Sequence, residues 1–159
     1  MAYFLLLLVP ACLILPFVLA VRAVRVLALA GGPGRADSRA WLRTAGLAQA
    51  AIAVGAYGWG LLHVTGAVVS AEDGGTNSLP LQPCRTPGWE YRGEAIAGYR
   101  VEYLPLRFVC EAEDIGDYPT SVPGYVNPVF FALGFGAVVC LTVAALESGG
   151  GPERADTGA

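Results

Sequence analysis

Three long apolar stretches dominate the sequence, and the first of them, AYFLLLLVPACLILPFVLAV over residues 2–21, carries no charge at all. At 1.5 Å of rise per residue, a helix of twenty residues covers about 30 Å, the thickness of a bilayer's hydrocarbon core. A cleaved signal peptide would place basic residues before the apolar run and a small-residue cleavage site after it. Here nothing basic precedes the run, and Arg22 and Arg25 follow it, so a retained spanning helix is expected. Pro10 and Pro16 should bend that helix without breaking it, because neighbouring helices can satisfy the carbonyls that proline frees.

The apolar periodicity continues through VRAVRVLALA, with Arg22 and Arg25 three residues apart, so that both can reach headgroups from one face. Gly31-Gly32-Pro33-Gly34 ends the helix. The expected organisation is a first spanning helix with its cytoplasmic extension over 2–30, an Arg-rich turn over 31–43 and a second spanning helix over 44–70, with Asp37 or Ser38 as a cap. A loop follows over 71–126, then a third spanning helix over 127–147, opened by Asn127-Pro128 with Asn127 as its cap. The glycine-rich tail over 148–159 has nothing to pack and should be disordered. Only 14% of the 159 residues are charged, against about 25% in soluble domains. The expected fold class is therefore membrane all-α: three transmembrane helices and a small disulfide-closed, β-containing extracytoplasmic loop.

Small residues recur through the second block. Ala51 with Gly55, and Ala56 with Gly60, stand four apart, the spacing that lets helix backbones approach closely in lipid, where packing drives association. These four are the expected helix-packing positions.

Sidedness follows from the arginines. All ten basic residues are Arg, which together with abundant Ala and Gly reads as the codon bias of a high-GC genome. Arg22, Arg25, Arg35, Arg39 and Arg43 crowd the join between helices one and two, with only Asp37 against them. The positive-inside rule places that join in the cytoplasm. The N-terminus and residues 71–126 are then extracytoplasmic, and the C-terminus is cytoplasmic. Cysteine usage agrees. Cys12 and Cys140 fall inside apolar helices, where packing is their expected role and where they could be neighbours, whereas Cys84 and Cys110 fall in the exported loop. Paired thiols there imply a disulfide, worth about 3 kcal/mol through loop closure. A segment this short needs such a staple.

Within the loop, AIAGYRVEYLPLRFVCE alternates in the manner of a strand: Tyr99, Val101 and Tyr103 point one way, Arg100 and Glu102 the other. Pro105 separates this run from LRFVC as a turn or edge position. A small antiparallel sheet or hairpin is expected, tied by Cys84–Cys110 to the proline-rich entry. Trp89, Tyr91, Tyr99 and Tyr103 would supply its core or sit at headgroup level, with Tyr125 interfacial.

Chemistry-bearing patterns are sparse. Glu111, Glu113, Asp114 and Asp117 form the one dense acidic run, but the alternating carboxylates and central glycine of an EF-hand are missing, so a solvated face is expected. His63 is the sole histidine, which leaves a His/Cys metal site, a Ser-His-Asp triad and a proton wire without members. No CxxC pair and no phosphate-binding glycine motif occur. Nothing among these patterns proposes an enzyme, and no cofactor and no metal are expected. A net charge of −3 gives no reason to expect nucleic acid as a partner.

The segment GYRVEYLPLRFVCE, followed by SVPGYVNP and set between apolar helices with an Arg-rich inner turn, resembles uncharacterised small multi-spanning membrane proteins of actinobacteria such as Streptomyces. The likeness is best over the loop and the third helix. It implies a bacterial plasma membrane as the location and brings no activity with it. The expected function is that of a non-enzymatic accessory or assembly subunit. Its partners are the lipid bilayer and either another membrane protein or further copies of itself. Two alternatives stand beside it: a small oligomeric transporter or channel, whose polar path would need Gln49, His63, Thr65 and Thr142, and an envelope ligand sensor.

Overall fold

A computed structural model describes residues 2–72, 82–85, 96–112 and 116–149. The expected roles of Trp89, Tyr91, Glu113, Asp114 and the glycine-rich tail over 150–159 lie outside these residues. The element order is α1 (Ala2–Leu29), α2 (Ser38–Glu72), a 3-10 turn (Gln82–Cys84), β1 (Ile96–Tyr103), β2 (Leu106–Ala112), β3 (Tyr118–Thr120) and α3 (Val126–Gly149). The three helices are long and apolar enough to cross a membrane. The chain divides into two compact units, one of residues 1–10 with 56–128 and one of 11–55 with 129–159.

Helix α1 runs unbroken through Pro10 and Pro16. It ends in a Schellman motif: the Gly32 N–H reaches the Leu27 carbonyl at 3.0 Å and the Gly31 N–H reaches Ala28 at 3.1 Å. Both glycines have positive φ, 84° and 87°, a region L side chains rarely enter. Five residues on, the Asp37 carboxylate accepts the Ala40 N–H at 2.9 Å, the bond of an N-cap to the third helical residue. That cap starts α2 at Ser38, six residues ahead of the hydropathy boundary, so Arg39 and Arg43 ride on the helix and do not belong to the turn. Asp37→Ala should lower stability by about 1 kcal/mol while Asp37→Asn stays near wild type, a difference readable from thermal unfolding in detergent.

The residues 11–55 and 129–159 unit has an unusual core. Its buried residues are Cys12, Ala23, Ala40, Ala51, Ala53, Ala137 and Ala144, small without exception. Its large side chains, among them Phe17, Val24, Leu29, Ile52, Phe135 and Leu146, are exposed. Where water is the solvent this arrangement is inverted; where lipid is, small residues bring backbones together and large ones meet the acyl chains. A Cβ on Gly46 would lie 2.8 Å from Leu141 Cγ and 3.2 Å from the Ala137 carbonyl oxygen, and one on Gly136 would collide with the Gln49 amide. Gly46→Val therefore has to push α3 away, with an expected loss of about 1–3 kcal/mol, measurable as a lower midpoint of detergent unfolding.

The other unit buries larger side chains. Its core holds Leu61, Val64, Leu106, Phe108 and Val126 around the buried Cys84 and Cys110. The sheet is antiparallel in the order β1-β2-β3, with Tyr99 opposite Cys110, Val101 opposite Phe108, and Phe108 opposite Thr120. The expected hairpin is present, with Pro105 in its turn after a cis peptide bond from Leu104. The third strand was not foreseen: three residues with a proline in the middle carry no readable period.

Candidate functional site

One face of the sheet presents Tyr99, Val101 and Tyr103 with Leu106, Phe108 and Cys110, as the alternation over 99–103 requires. Every kind of interaction available to that face is used to fasten it. Cys84 and Cys110 are joined, Cα atoms 6.0 Å apart, which ties the 3-10 turn beneath the central strand. Tyr118 donates to the Cys84 carbonyl at 2.7 Å and Thr120 to that of Pro83 at 3.3 Å, so β3 grips the same turn. Tyr99 stacks on Phe108, ring centroids 5.0 Å apart, and Tyr57 of α2 donates to the Tyr103 carbonyl at 2.7 Å.

The last fastening corrects the sequence reading. Asn127 was expected as a cap; instead its amide pairs with both backbone groups of one residue. Its Oδ1 accepts the Leu106 N–H at 2.8 Å and its Nδ2 donates to the Leu106 carbonyl at 3.0 Å. Leu106 is fully buried, so these groups need partners from the protein. Helix α3 starts one residue earlier, at Val126, where the Val126 N–H bonds the Pro123 carbonyl, leaving Asn127 free for this task.

Tyr99 also reaches the end of α2, donating to Glu72 at 3.2 Å. Burial first, then the neighbouring Glu72 charge and this hydrogen bond, push the Tyr99 phenol above its ordinary range. Because the folded value is raised, the tether is fully present below the unfolded value of about 10 and is lost as pH climbs through the folded one. Tyr99→Phe should therefore flatten part of the alkaline fall in melting temperature above about pH 10.

The opposite face of the sheet carries charges around a buried Val109. Arg100 pairs with Asp117 at 2.6 Å, Glu102 at 3.3 Å and Glu111 at 3.5 Å. The hydrogen bonds that Arg100 donates to Asp117 and then to Glu102 hold the guanidinium above its usual pKa. Glu111 and Asp117, half of the acidic run, are thus occupied by an arginine, and among the described residues no three His, Cys, Asp or Glu gather closely enough to hold a metal ion.

Beside the fastened face, an open groove of about 560 Å³ runs along α2 and is bordered by Trp59, His63, Gly66, Ser70, Pro83 and Ser121. Trp59 and His63, a helical turn apart, meet edge to face at 5.1 Å. His63 therefore lines a groove and has no acid or thiol beside it among the residues bordering that groove.

The expected packing positions have separate surroundings. A Cβ on Gly60 would meet Leu106 at 2.7 Å and Val126 at 2.8 Å, and one on Gly55 would touch Pro16 at 3.8 Å. Ala51 is buried and Ala56 half-buried. Gly46 and Gly136, which make tighter approaches than Gly55, were not singled out; nothing in the spacing of one helix distinguishes the glycine that faces a neighbour. Arg22, Arg25, Arg35 and Arg43 are exposed and Arg39 half-buried. Cys12 and Cys140 are free thiols, and the Cys140 sulfur accepts from the Gln49 amide at 3.9 Å. The Thr65 hydroxyl returns to the Leu61 carbonyl, and that of Thr142 to Val138 and Val139.

Comparison of the chain with protein-family models, with curated proteins and with solved structures returns no match.

Proposed function

We propose that the protein is a non-enzymatic integral membrane subunit that presents its disulfide-closed sheet outside a bacterial plasma membrane for the assembly of a larger complex. The observation that carries membrane residence is the inverted core of the 11–55 and 129–159 unit, all small inside and large apolar side chains outside. The apolar windows of α1 and α3 are only 6% and 11% buried by the chain itself. So much exposed apolar surface exceeds what soluble monomers tolerate.

Orientation follows the arginines: N-terminus and residues 71–126 outside, C-terminus inside. Helix α2 has 35 residues, about 52 Å, and the bilayer core takes only about 30 Å of it. Val126, where α3 begins, packs at Gly60, so α2 continues twelve residues (72 − 60), about 18 Å, past that level. This extension is the post on which the sheet is fastened, and it carries His63 to the outer surface. An accessory role is supported by how the sheet is used. One face is fastened to the outer part of α2 and the first residues of α3, and the other offers fixed charges; among the described residues no catalytic set converges.

An impermeant thiol reagent applied to intact cells should label Cys84 and Cys110 only after reduction; labelling without reduction, or none after it, contradicts the orientation. Purification in mild detergent should return the chain with a stoichiometric companion or as a defined homo-oligomer. Charge reversal at Arg107, exposed on the outer face of β2, should release it. A lone monomer would count against the accessory role. An envelope ligand sensor is the second reading, favoured by the groove at Trp59 and His63. The transporter alternative gains less, because the Thr65 and Thr142 hydroxyls are spent on their own helices.

A further inference from the structure

The end of α1 and the start of α2 border an open cavity of about 310 Å³. One wall is apolar, formed by Val26, Leu29 and Ala30. The other carries Arg39 and Arg43, four residues apart on one face of α2, together with Asp37. These groups are not balanced against each other. Among the described residues no ion pair joins Asp37 to Arg39 or Arg43, and one Asp37 oxygen is committed to the helix cap. The Arg39 Nε–H is withdrawn from solvent and meets no acceptor in the protein, an expensive position for a donor that bears charge.

A ligand for this arginine pair has a definable chemistry. It must be an anion with several acceptor oxygens, because two guanidiniums a helical turn apart offer forked donors. It must also tolerate the Asp37 carboxylate, which leaves the lining at a net +1 from two Arg and one Asp. Finally, part of it must be apolar, to lie against Val26 and Leu29. A phosphate ester attached to glycerol and acyl chains meets all three conditions, and basic pockets at the cytoplasmic ends of membrane helices bind such headgroups. We propose that this cavity binds the phosphate of an anionic glycerophospholipid of the inner leaflet, with Arg39 and Arg43 as its ligands. The proposal rests on the membrane insertion proposed above.

The test is calorimetric titration of the full chain, in an uncharged detergent, with dihexanoyl-phosphatidylglycerol, dihexanoyl-phosphatidylcholine and inorganic phosphate. The anionic lipid should bind at least about tenfold more tightly than either of the others, a clear margin for a charge-assisted pair. Arg39→Gln/Arg43→Gln should lose about tenfold or more. Arg22→Gln/Arg25→Gln, which removes the same charge from α1, should bind as wild type. Asp37→Asn keeps the helix cap and should bind more tightly. Equal binding of both lipids, equal loss in both arginine pairs, or weaker binding by Asp37→Asn overturns the site. Inorganic phosphate binding as tightly as the lipid overturns the lipid assignment. Unchanged circular dichroism melting of each variant shows that it is folded. Failure of insertion is read separately, as release of the chain from membranes by alkaline carbonate.

Discussion

Asn127→Leu is expected to lower stability by about 2–6 kcal/mol, from two buried backbone groups at about 1–3 each. Leucine keeps the branching of asparagine at Cγ and is the larger side chain, so the loss is not that of a cavity. Both functions of the amide are needed at once. The oxygen takes the Leu106 N–H and the nitrogen gives to the Leu106 carbonyl, with Leu106 shut off from solvent. Asn127→Asp keeps the acceptor but turns a second carboxylate oxygen toward the carbonyl, so at neutral pH it should be little better than leucine. Unfolding in detergent gives the magnitude, and hydrogen exchange at the Leu106 amide should accelerate in step with it. A loss below about 0.5 kcal/mol would mean that other groups satisfy Leu106.

Removing the disulfide is the second large change. Cys84 and Cys110 are 26 residues apart, and opening a loop of that length returns about 3 kcal/mol of chain entropy to the unfolded state. Cys84→Ala/Cys110→Ala should act on the sheet-bearing unit. The 3-10 turn then keeps its bonds from Tyr118 and Thr120 but loses its covalent tie, and trypsin should gain access to Arg100 and Arg107 in the strands. Helical circular dichroism should persist, since helix backbone bonds close within their own segments. Loss of helix content along with the sheet would show that the staple supports more than the loop.

Both changes act where residues distant in sequence meet, and this marks how far the sequence could be read. The ends of α1 and α3 were legible within a few residues, since lipid-length apolar runs and a Gly-Gly-Pro-Gly stop are local signals. The hairpin was legible too, because side chains alternate with the pleat and Pro105 interrupts the run. The start of α2 was missed by six residues because hydropathy reports the solvent around a helix, whereas Asp37 capping determines where it begins. The short strand Tyr118–Thr120 was invisible because its pairing with Phe108–Cys110 comes from β2 and not from its own residues.

Three membrane-length apolar helices and two cysteines set apart in a polar loop were readable from the order of residues alone. Each property follows from residue type and spacing along one segment. Only the tertiary structure decided that Asn127 serves Leu106, that Gly46 and Gly136 are the tight approaches, that acids of the 111–117 run are held by Arg100, and that Arg39 and Arg43 border a cavity. The physical reason is the same in each case. A hydrogen bond, a close approach or a buried charge is a relation between two surfaces, and the second surface comes from another part of the chain.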